Sequence, residues 1–497
     1  MTDQHPHIGE DRTAEDLMPE GRTPANRASA NRAPEDSTAE DGTTYDVLVC
    51  GAGVAGLAAA RALGDLGLHV LLLDKQRAPR DIAKGEVLQP GALRVLRRWG
   101  TEQLLCERGA VGLDRLVVRS PDGAALMALD YGQLPEGDRS LLAHDHAEIL
   151  RALAEGLPPT VEIRRGTLVR EALREPDGRV TGLVLTSDRG SEGDSAAGPD
   201  DDAAGHLAGQ AGRTVRAPLV VAADGISSRL RRAAGIGGKR VDYPHRLVSV
   251  ELTRSDEGTR TGPVPGDFSA YLTHRGLRLV YPLPRGRVRL YLQTEPDELR
   301  GLGGARFTAW LQEAVAEVPA LAGFGWALAE GAGSRQVFSV SRYLAERFAA
   351  PGLALVGEAG YAVHPMAAQG MNTAITSAAS LADRLAPLLP AAGGGRPMLD
   401  AATVDAALDA YEAERRPFLA SAAKTSANAA RMVTDLAWPG RVVGRRAVRC
   451  TGANPRLLHI VTHNMAGLGP RPLTPLDRLQ QIGLLPDPHA HRVPVDH

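Results

Sequence analysis

Residues 45–74 read YDVLVCGAGVAGLAAARALGDLGLHVLLLD, and this stretch indicates the fold class. Residues 45–50 form a short apolar run typical of a buried strand, and residues 55–66 form an Ala- and Leu-rich run typical of a helix. A second apolar run follows at 68–73. Because a strand, a helix and a second strand follow one another, we expect a βαβ unit and hence a parallel sheet covered by helices.

Three glycines, Gly51, Gly53 and Gly56, separate the first strand from the helix. In a dinucleotide-binding fingerprint the first permits a tight turn, the second lets the backbone approach a pyrophosphate, and the third lets helix and strand pack closely. The helix N-terminus then offers free N–H groups to the phosphates. Asp74 ends the second strand about 20 residues later, where an acid can accept hydrogen bonds from a ribose. This spacing predicts dinucleotide binding but does not distinguish FAD from NAD.

Composition and charge exclude several classes of protein. The 497 residues are 43% hydrophobic, which suffices for a large core and about two or three domains. With 57 basic and 59 acidic residues and no suitable motif, nucleic-acid binding is not expected. Three scattered cysteines are too few for a disulfide framework or a metal site. We find no secretory signal and no apolar run of about 18 residues, so we expect a cytoplasmic protein with at most peripheral membrane contact.

Changes in composition along the chain predict its organisation. Residues 1–43 are polar and lack apolar periodicity, which predicts a disordered extension. A Gly- and Asp-rich stretch at about 187–213 predicts a flexible insertion between two strands. Several β-rich runs between 246 and 293 predict an antiparallel sheet in an inserted domain. The predicted domains are a dinucleotide-binding domain in two parts, 44–245 and 346–390, a mainly β substrate domain at 246–345, and a C-terminal helical region and tail at 391–497.

Two further motifs each follow an apolar strand. One begins with Asp224 and Gly225, and the other runs from Gly357 and Glu358 to Gly370-Met371-Asn372. Together with the glycine fingerprint they resemble the three signatures of the aromatic-hydroxylase family of flavoproteins, also called group A flavin monooxygenases. The resemblance covers about residues 45–385. It implies an α/β fold with a Rossmann-type FAD-binding domain, an inserted antiparallel β-sheet substrate domain and a C-terminal helical region.

The resemblance also implies which residues hold FAD. Asp224 and Gly225 fall near the pyrophosphate, and Glu358 takes the place of the family's Asp that bonds the ribityl chain. Gly370, Met371 and Asn372 start a helix beneath the isoalloxazine, where N–H donors and positive potential stabilise the anionic reduced ring. The other implied flavin-site residues are Gly51, Gly53, Val54, Ala55, Gly56, Asp74, Lys75, Lys84, His146, Val169, Gly357 and Pro365.

The chain departs from the family pattern at several positions. Tyr361 stands where the family often has His, Ala368 where it often has Gly, and Lys84 where many members have Arg. The stretch at 85–91, together with His364-Pro365, resembles the squalene-epoxidase branch, whereas the run at 369–372 resembles ordinary hydroxylases. The chain therefore combines features of both branches.

Three features have a simpler explanation that we weigh against a functional one. His146 is a candidate flavin contact, and a helix-capping or surface histidine is an equal alternative. For Tyr281 we favour a core role beside a strand-ending proline over a substrate contact. For the arginine run at 441–449 we favour a solvated helix face over a membrane-docking face, because the opposite face is not strongly apolar.

The resemblance implies a monooxygenase in which NAD(P)H binds transiently and reduces the flavin, and O2 supplies the inserted oxygen atom. We expect hydroxylation or epoxidation of a small apolar aromatic or alkene substrate in bacterial secondary metabolism. No constellation of residues identifies a catalytic base. The alternatives are a flavin-dependent alkene reductase similar to geranylgeranyl reductases, and, given Glu358 and Tyr361, a non-catalytic flavin-binding protein. A flavin halogenase is disfavoured because the Trp-x-Trp-x-Ile-Pro motif is absent.

Overall fold

The computed structural model describes residues 44–80, 82–187, 213–253, 266–324, 327–390 and 399–493. The predicted extension at 1–43 lies outside the described residues, and so does the predicted insertion, apart from its two ends.

A six-stranded, mainly parallel sheet forms the first layer, and it contains the predicted βαβ unit. The strand Val47–Cys50, the helix Val54–Gly64 and the strand Val70–Asp74 follow one another as expected. The first strand also pairs in parallel with Leu219–Ala222, the strand that leads into the Asp224 motif. This pairing brings two of the three motifs to one edge of the sheet. The strand order is Ala349–Ala350, Leu353–Leu355, Leu219–Ala222, Val47–Cys50, Val70–Asp74 and Val161–Arg165.

Burial explains why the helix Val54–Gly64 lies on this sheet. Leu57 and Leu63 are fully buried, as are the sheet residues Leu48 and Leu72. On its other side the helix packs against the helix Gln369–Leu385, which follows the third motif. Removal of these apolar side chains from water stabilises the arrangement and holds the first and third motifs together.

An eight-stranded sheet forms the second layer, and it extends beyond the predicted bounds of the substrate domain. The prediction begins this sheet at about residue 246, whereas the strand Gly238–Leu252 begins it earlier. Two strands from an earlier part of the chain also join it, through a parallel pairing of Phe268–Thr273 with Arg115–Arg119. The strand order is Tyr361–Ala362, Gln336–Ala345, Gly238–Leu252, Arg287–Thr294, Gly276–Leu283, Phe268–Thr273, Arg115–Arg119 and Ala125–Asp130. The division of the chain into domains itself stays a prediction.

The second sheet buries both of its faces. One face packs against the helix Gly304–Ala316 through Phe307 and Leu311. The other face, with Leu279 and Tyr281, joins a separate core that includes Met366 and residues of the C-terminal helices. A sheet buried on both sides explains why its strands read as nearly continuous apolar runs.

In the described residues the C-terminal region forms helices up to residue 481, and each helix has a defined start. Proline occupies the first turn of three of these helices, where its missing N–H costs nothing. Asn454 caps one helix by accepting from Leu457 N–H, and Thr474 forms a capping box with Asp477. The C-terminal helices are Ala401–Thr434, Trp438–Gly452, Pro455–Ala466 and Pro475–Gln481.

The remaining elements complete the framework. Two three-stranded sheets consist of Arg213–Arg216, Val180–Ser187 and Thr167–Arg174, and of Val87–Leu88, Leu141–Ala143 and Val111–Leu113. The other helices are Pro90–Arg98, Thr101–Glu107, His146–Glu155, Arg229–Ala233 and Ala327–Gly331. In the part of the chain that the structure describes, no helix combines the length and the apolar character that crossing a membrane requires.

Candidate active site

The glycine loop has the geometry that a dinucleotide requires. Gly51 has φ +105°, and a Cβ atom there would lie 2.4 Å from the carbonyl oxygen of Ala223. A Cβ atom at Gly56 would lie 1.7 Å from the carbonyl oxygen of Gly51. At Gly53, by contrast, a Cβ atom would meet no protein atom within 4 Å. The first and third glycines are therefore required by the protein itself, whereas the second leaves open space in front of the helix N-terminus.

Asp74 holds this loop to the end of the second strand. Its Oδ2 accepts a 2.6 Å hydrogen bond from Ala52 N–H, and its Oδ1 accepts one of 2.7 Å from Gln76 N–H. A carboxylate offers about four lone-pair positions, so both oxygens retain capacity for a ligand hydroxyl.

The third motif lies directly against the first. A Cβ atom at Gly357 would lie 2.5 Å from the Cβ of Ala55, so the two loops meet at van der Waals distance. Glu358 and Lys84, both predicted site residues, form an ion pair with a 2.6 Å distance between Lys84 Nζ and Glu358 Oε1. Each of these two side chains is about two-fifths exposed, so the pair lies at the mouth of the site.

Asp224 carries a buried acceptor that the protein does not use. Its Oδ2 accepts from Arg229 N–H at 2.8 Å, which anchors the turn after the strand. Its Oδ1 is buried and has no hydrogen-bond partner in the described residues. A buried carboxylate oxygen without a donor is costly, so a ligand hydroxyl or N–H is the fitting partner. The open space at Gly53 and this free acceptor fit a bound dinucleotide.

One cavity, with a volume of about 290 Å³, joins these motifs to the second sheet. Gly370 and Met371 line it, so the N-terminus of the helix Gln369–Leu385 faces the cavity. The predicted site residues that line it are Gly53, Val54, Ala55, Lys84, His146, Gly225, Glu358, Pro365, Gly370 and Met371.

Other predicted residues do not line this cavity. Gly51, Gly56, Asp74, Asp224 and Gly357 shape the loops around it, as described above. Lys75 is exposed after the second strand, and Val169 is buried in the core. Asn372 is fully buried beside Gly91 and Gly467, and its Nδ2 donates to Gln369 Oε1. Direct flavin contacts by these residues stay predictions.

The far end of the cavity is apolar and aromatic. Phe268 and Tyr281 stack in parallel with ring centroids 5.0 Å apart, and Tyr281 also stacks with Tyr291 at 6.2 Å. Leu247 and Leu279 complete this wall. Tyr281 is therefore buried, as we favoured, and it also faces the candidate substrate space. Such a surface excludes water and suits an apolar ring or alkene.

Beneath this wall lies an ionic network that sequence analysis missed. Arg289 donates to both carboxylate oxygens of Glu86 at 2.9 and 2.7 Å, and Tyr281 donates to Glu86 Oε2 at 2.8 Å. Arg289 also pairs with Glu251 at 3.0 Å. Burial raises the pKa of Glu86 above its ordinary value, although the pairing with Arg289 and the bond from Tyr281 oppose this shift. The pKa of Tyr281 is likewise raised, first by burial and then by the nearby Glu86.

Strand register explains this network. Arg289 lies opposite Glu251 on one neighbouring strand and opposite Tyr281 on the other. Side chains directly opposite one another in antiparallel strands lie on the same face. The signal in the sequence is the alternation of Arg287, Arg289 and Tyr291 in an otherwise apolar strand. Glu86 was not predictable from that pattern, because it comes from a distant loop.

A pair of buried histidines joins the two layers next to the cavity. His364 Nδ1 accepts from Met366 N–H at 3.2 Å, and His364 Nε2 lies 3.0 Å from His245 Nε2. Since Nδ1 accepts, neutral His364 carries its proton on Nε2 and donates to His245. Burial lowers the pKa of His364 to about 3 and that of His245 to about 4. Both rings are therefore neutral at physiological pH, and they hold the turn Pro365–Ala367 to the second sheet.

The squalene-epoxidase-like stretch braces the same turn. Gln89 donates to the carbonyl oxygen of Ala367 at 3.2 Å and accepts from the Tyr131 hydroxyl at 3.1 Å. All three residues are fully buried. A second, polar cavity of about 570 Å³ shares Glu86 and His146 with the first.

Comparison with known proteins agrees with this geometry. Residues 44–426 match the family described as FAD binding domain. The chain belongs to this family. The predicted FAD cofactor and the predicted flavoprotein family are thereby confirmed, and so is the mixed α/β fold.

The similar proteins are hydroxylases and epoxidases. A ubiquinone hydroxylase of Rhodospirillum rubrum is 28% identical over 389 residues, which cover 75% of this chain and 78% of that protein. Squalene epoxidase 3 of Arabidopsis thaliana is 24% identical over 461 residues, covering 88% of this chain and 81% of that protein. The structure of Pseudomonas aeruginosa PqsL in complex with 2-aminobenzoylacetate has a TM-score of 0.63 and 25% identity, and covers 79% of this chain and 98% of that one. These similarities confirm the predicted class, an FAD-dependent monooxygenase of hydroxylase or epoxidase type.

Proposed function

We propose that this protein uses NAD(P)H and O2 to hydroxylate or epoxidise a small apolar aromatic or alkene substrate. The observation that carries the proposal is the single cavity that begins at the dinucleotide motifs and ends at the stacked Phe268 and Tyr281. A substrate bound against these rings lies next to the residues that would hold the flavin. The expected setting in bacterial secondary metabolism stays a prediction.

The residues that would hold FAD surround the first half of the cavity. The loop at Gly53 and the free Oδ1 of Asp224 fit its phosphates and hydroxyls, and Glu358 lies where the ribityl chain is expected. FAD held by these residues would supply the redox chemistry, namely hydride acceptance and reaction with O2. The N-terminus of the helix Gln369–Leu385 offers positive potential to a negatively charged reduced ring.

The wall residues orient the substrate and exclude water. Because Tyr281 donates its proton to Glu86, its hydroxyl oxygen retains lone pairs that can act as acceptors. Tyr281 can therefore accept a hydrogen bond from a substrate hydroxyl and orient the ring that carries it. Glu86 is paired with Arg289 and so keeps this tyrosine in place. The polar cavity beside His146 offers separate access for the charged nicotinamide cofactor.

Anaerobic stopped-flow tests the proposal. The yellow FAD-loaded protein is mixed with NADPH or NADH, with candidate apolar aromatics and polyenes present or absent, and then with oxygenated buffer. We expect a substrate to accelerate bleaching of the flavin, followed by an oxygen-dependent absorbance change and an oxygenated product. Reduction of the flavin, followed by reduction of the substrate's double bond without O2 uptake, would instead indicate an alkene reductase. A colourless protein that takes up no FAD would contradict the proposal.

A further inference from the structure

The C-terminal helices expose an apolar surface. Of the ten exposed large hydrophobic side chains among the described residues, seven lie between 438 and 485. We call these seven the C-terminal patch. Its most exposed member is Trp438, at 71%. Contiguous exposed apolar surface on a monomer marks an interaction site more often than scattered single residues do. The patch consists of Trp438, Val442, Val443, Leu476, Leu479, Leu484 and Leu485.

Helical geometry places part of the C-terminal patch on one stripe. Trp438, Val442, Arg446 and Arg449 follow one another at spacings of four, four and three residues in the helix Trp438–Gly452. Such spacings lie on one face of a helix. The buried residues of this helix, Gly444, Ala447, Val448 and Thr451, lie on the opposite face. The outward stripe therefore combines an aromatic residue, an aliphatic residue and two cations.

A hydrogen-bonded contact continues the C-terminal patch onto the next segment. Arg446 donates to the carbonyl oxygens of Ile482 and Gly483, each at 2.8 Å. Leu484 and Leu485 follow directly and are exposed. The contact therefore places these two leucines beside the helix Trp438–Gly452.

The charge next to the C-terminal patch is positive, although Arg449 interacts electrostatically with the exposed Asp122. The helix Trp438–Gly452 contains four arginines and no acidic residue. Arg441, Arg445 and Arg446 donate to backbone carbonyl oxygens. Across the described ranges, no carboxylate lies within ion-pair distance of any of the four. An exposed Trp beside a helix with four arginines and no acidic residue complements an anionic lipid surface, where aromatic rings prefer the interface and cations face the headgroups.

We infer that the C-terminal patch docks this protein peripherally on an anionic phospholipid membrane. Sequence analysis favoured a solvated helix face because the opposite face is not strongly apolar. The structure shows apolar and basic residues together on the exposed face. The inference is independent of the proposed reaction. On its buried face the same helix contributes Val448 and Thr451 to a third cavity, mainly apolar and with a volume of about 90 Å³.

Flotation of the FAD-loaded full chain with vesicles tests this inference. We expect binding to phosphatidylcholine vesicles that contain phosphatidylglycerol, weaker binding to phosphatidylcholine alone, and loss of binding at high salt. The double variant Trp438→Ser/Val442→Ser should bind at least about tenfold more weakly, because it removes apolar surface that enters the interface. Arg449→Glu should weaken binding by about tenfold through charge alone.

Leu388→Ser is the matched control, because Leu388 is also exposed but lies outside the C-terminal patch. It should bind vesicles like the unaltered protein. FAD content and circular dichroism show whether each variant is folded. Failure of the unaltered protein to bind anionic vesicles at low salt would overturn the inference. So would dimerisation of the unaltered protein that the double variant abolishes without any vesicle binding, since the surface would then be a subunit interface.

Discussion

The two ends of the cavity are built by different means. At the cofactor end, the backbone of three loops approaches so closely that Gly51, Gly56 and Gly357 leave no room for a side chain. At the substrate end, long side chains on strands of the second sheet, among them Tyr281 and Arg289, meet the loop residue Glu86. The comparison shows that the proposed flavin end depends on a few backbone positions, whereas the proposed substrate end depends on packed side chains from distant parts of the chain.

The largest expected effect distinguishes two glycines of the same loop. Gly56→Ala should destabilise the FAD-free protein by about 3 kcal/mol, because the new methyl group meets the Gly51 carbonyl oxygen. Gly53→Ala should change that stability by less than about 0.5 kcal/mol, yet weaken FAD binding, because only a ligand occupies its open side. Urea unfolding of both proteins and FAD titration measure these effects. Equal loss of stability in both variants would contradict the comparison.

The substrate end should respond without loss of flavin. Glu86→Gln leaves Arg289 with a weaker partner, so we expect destabilisation of about 2–3 kcal/mol. Tyr281→Phe removes one hydrogen bond and keeps the ring, so we expect it to destabilise the protein by about 1 kcal/mol. Both variants should retain FAD, which the absorbance of the purified protein shows. If either variant lost FAD in proportion to its loss of stability, the cofactor end and the substrate end of the cavity would not be independent of each other.

At neutral pH the smallest effect concerns the junction between the two ends, where His245 and His364 meet, because this pair affects stability only on acidification. Their folded-state pKa values, about 4 and about 3, lie below the ordinary 6.5, so the unfolded chain binds protons first as pH falls. Stability should therefore be unaffected by this pair above about pH 6.5 and fall below it, by up to about 1.4 kcal/mol per pH unit for each histidine. Below the folded-state pKa values the loss levels off.

Urea unfolding between pH 7 and pH 4 measures this slope. Other groups also titrate in this range, so the unaltered protein must be compared with His245→Gln. The free energy of unfolding of this variant should fall less steeply with falling pH, by up to about 1.4 kcal/mol per pH unit. An identical slope in the two proteins would show that His245 is protonated in the folded state as readily as in the unfolded chain.

Much of the fold was predictable because it is encoded locally. The βαβ unit follows from apolar runs of the right length around Gly51 and Gly56, and each later motif directly follows its own strand. The boundaries of the second sheet were less predictable. The strand Arg115–Arg119 joins it by a parallel pairing with a strand about 150 residues away, and no local pattern encodes such a partner.

In the candidate site, too, residues were predictable only where a local motif encodes them. Gly53, Glu358, Gly370 and Met371 were predictable, because their motifs need particular backbone or charge at fixed positions. The Glu86 network and the histidine pair were not, because each joins a loop to a strand far away in sequence. In the tail, the structure shows Pro and capping residues at the helix starts, and which helix face is exposed depends on packing.

By itself, the sequence determined the dinucleotide motifs, the flavoprotein family and the order of the main elements, since glycine conformation and apolar periodicity act over a few residues. Only the tertiary structure decided that Tyr281 donates a hydrogen bond to Glu86, that His364 faces His245 and that Trp438 lies in solvent. These properties depend on distances between segments remote in the chain. Such distances result from the packing of the whole core rather than from any one stretch of residues.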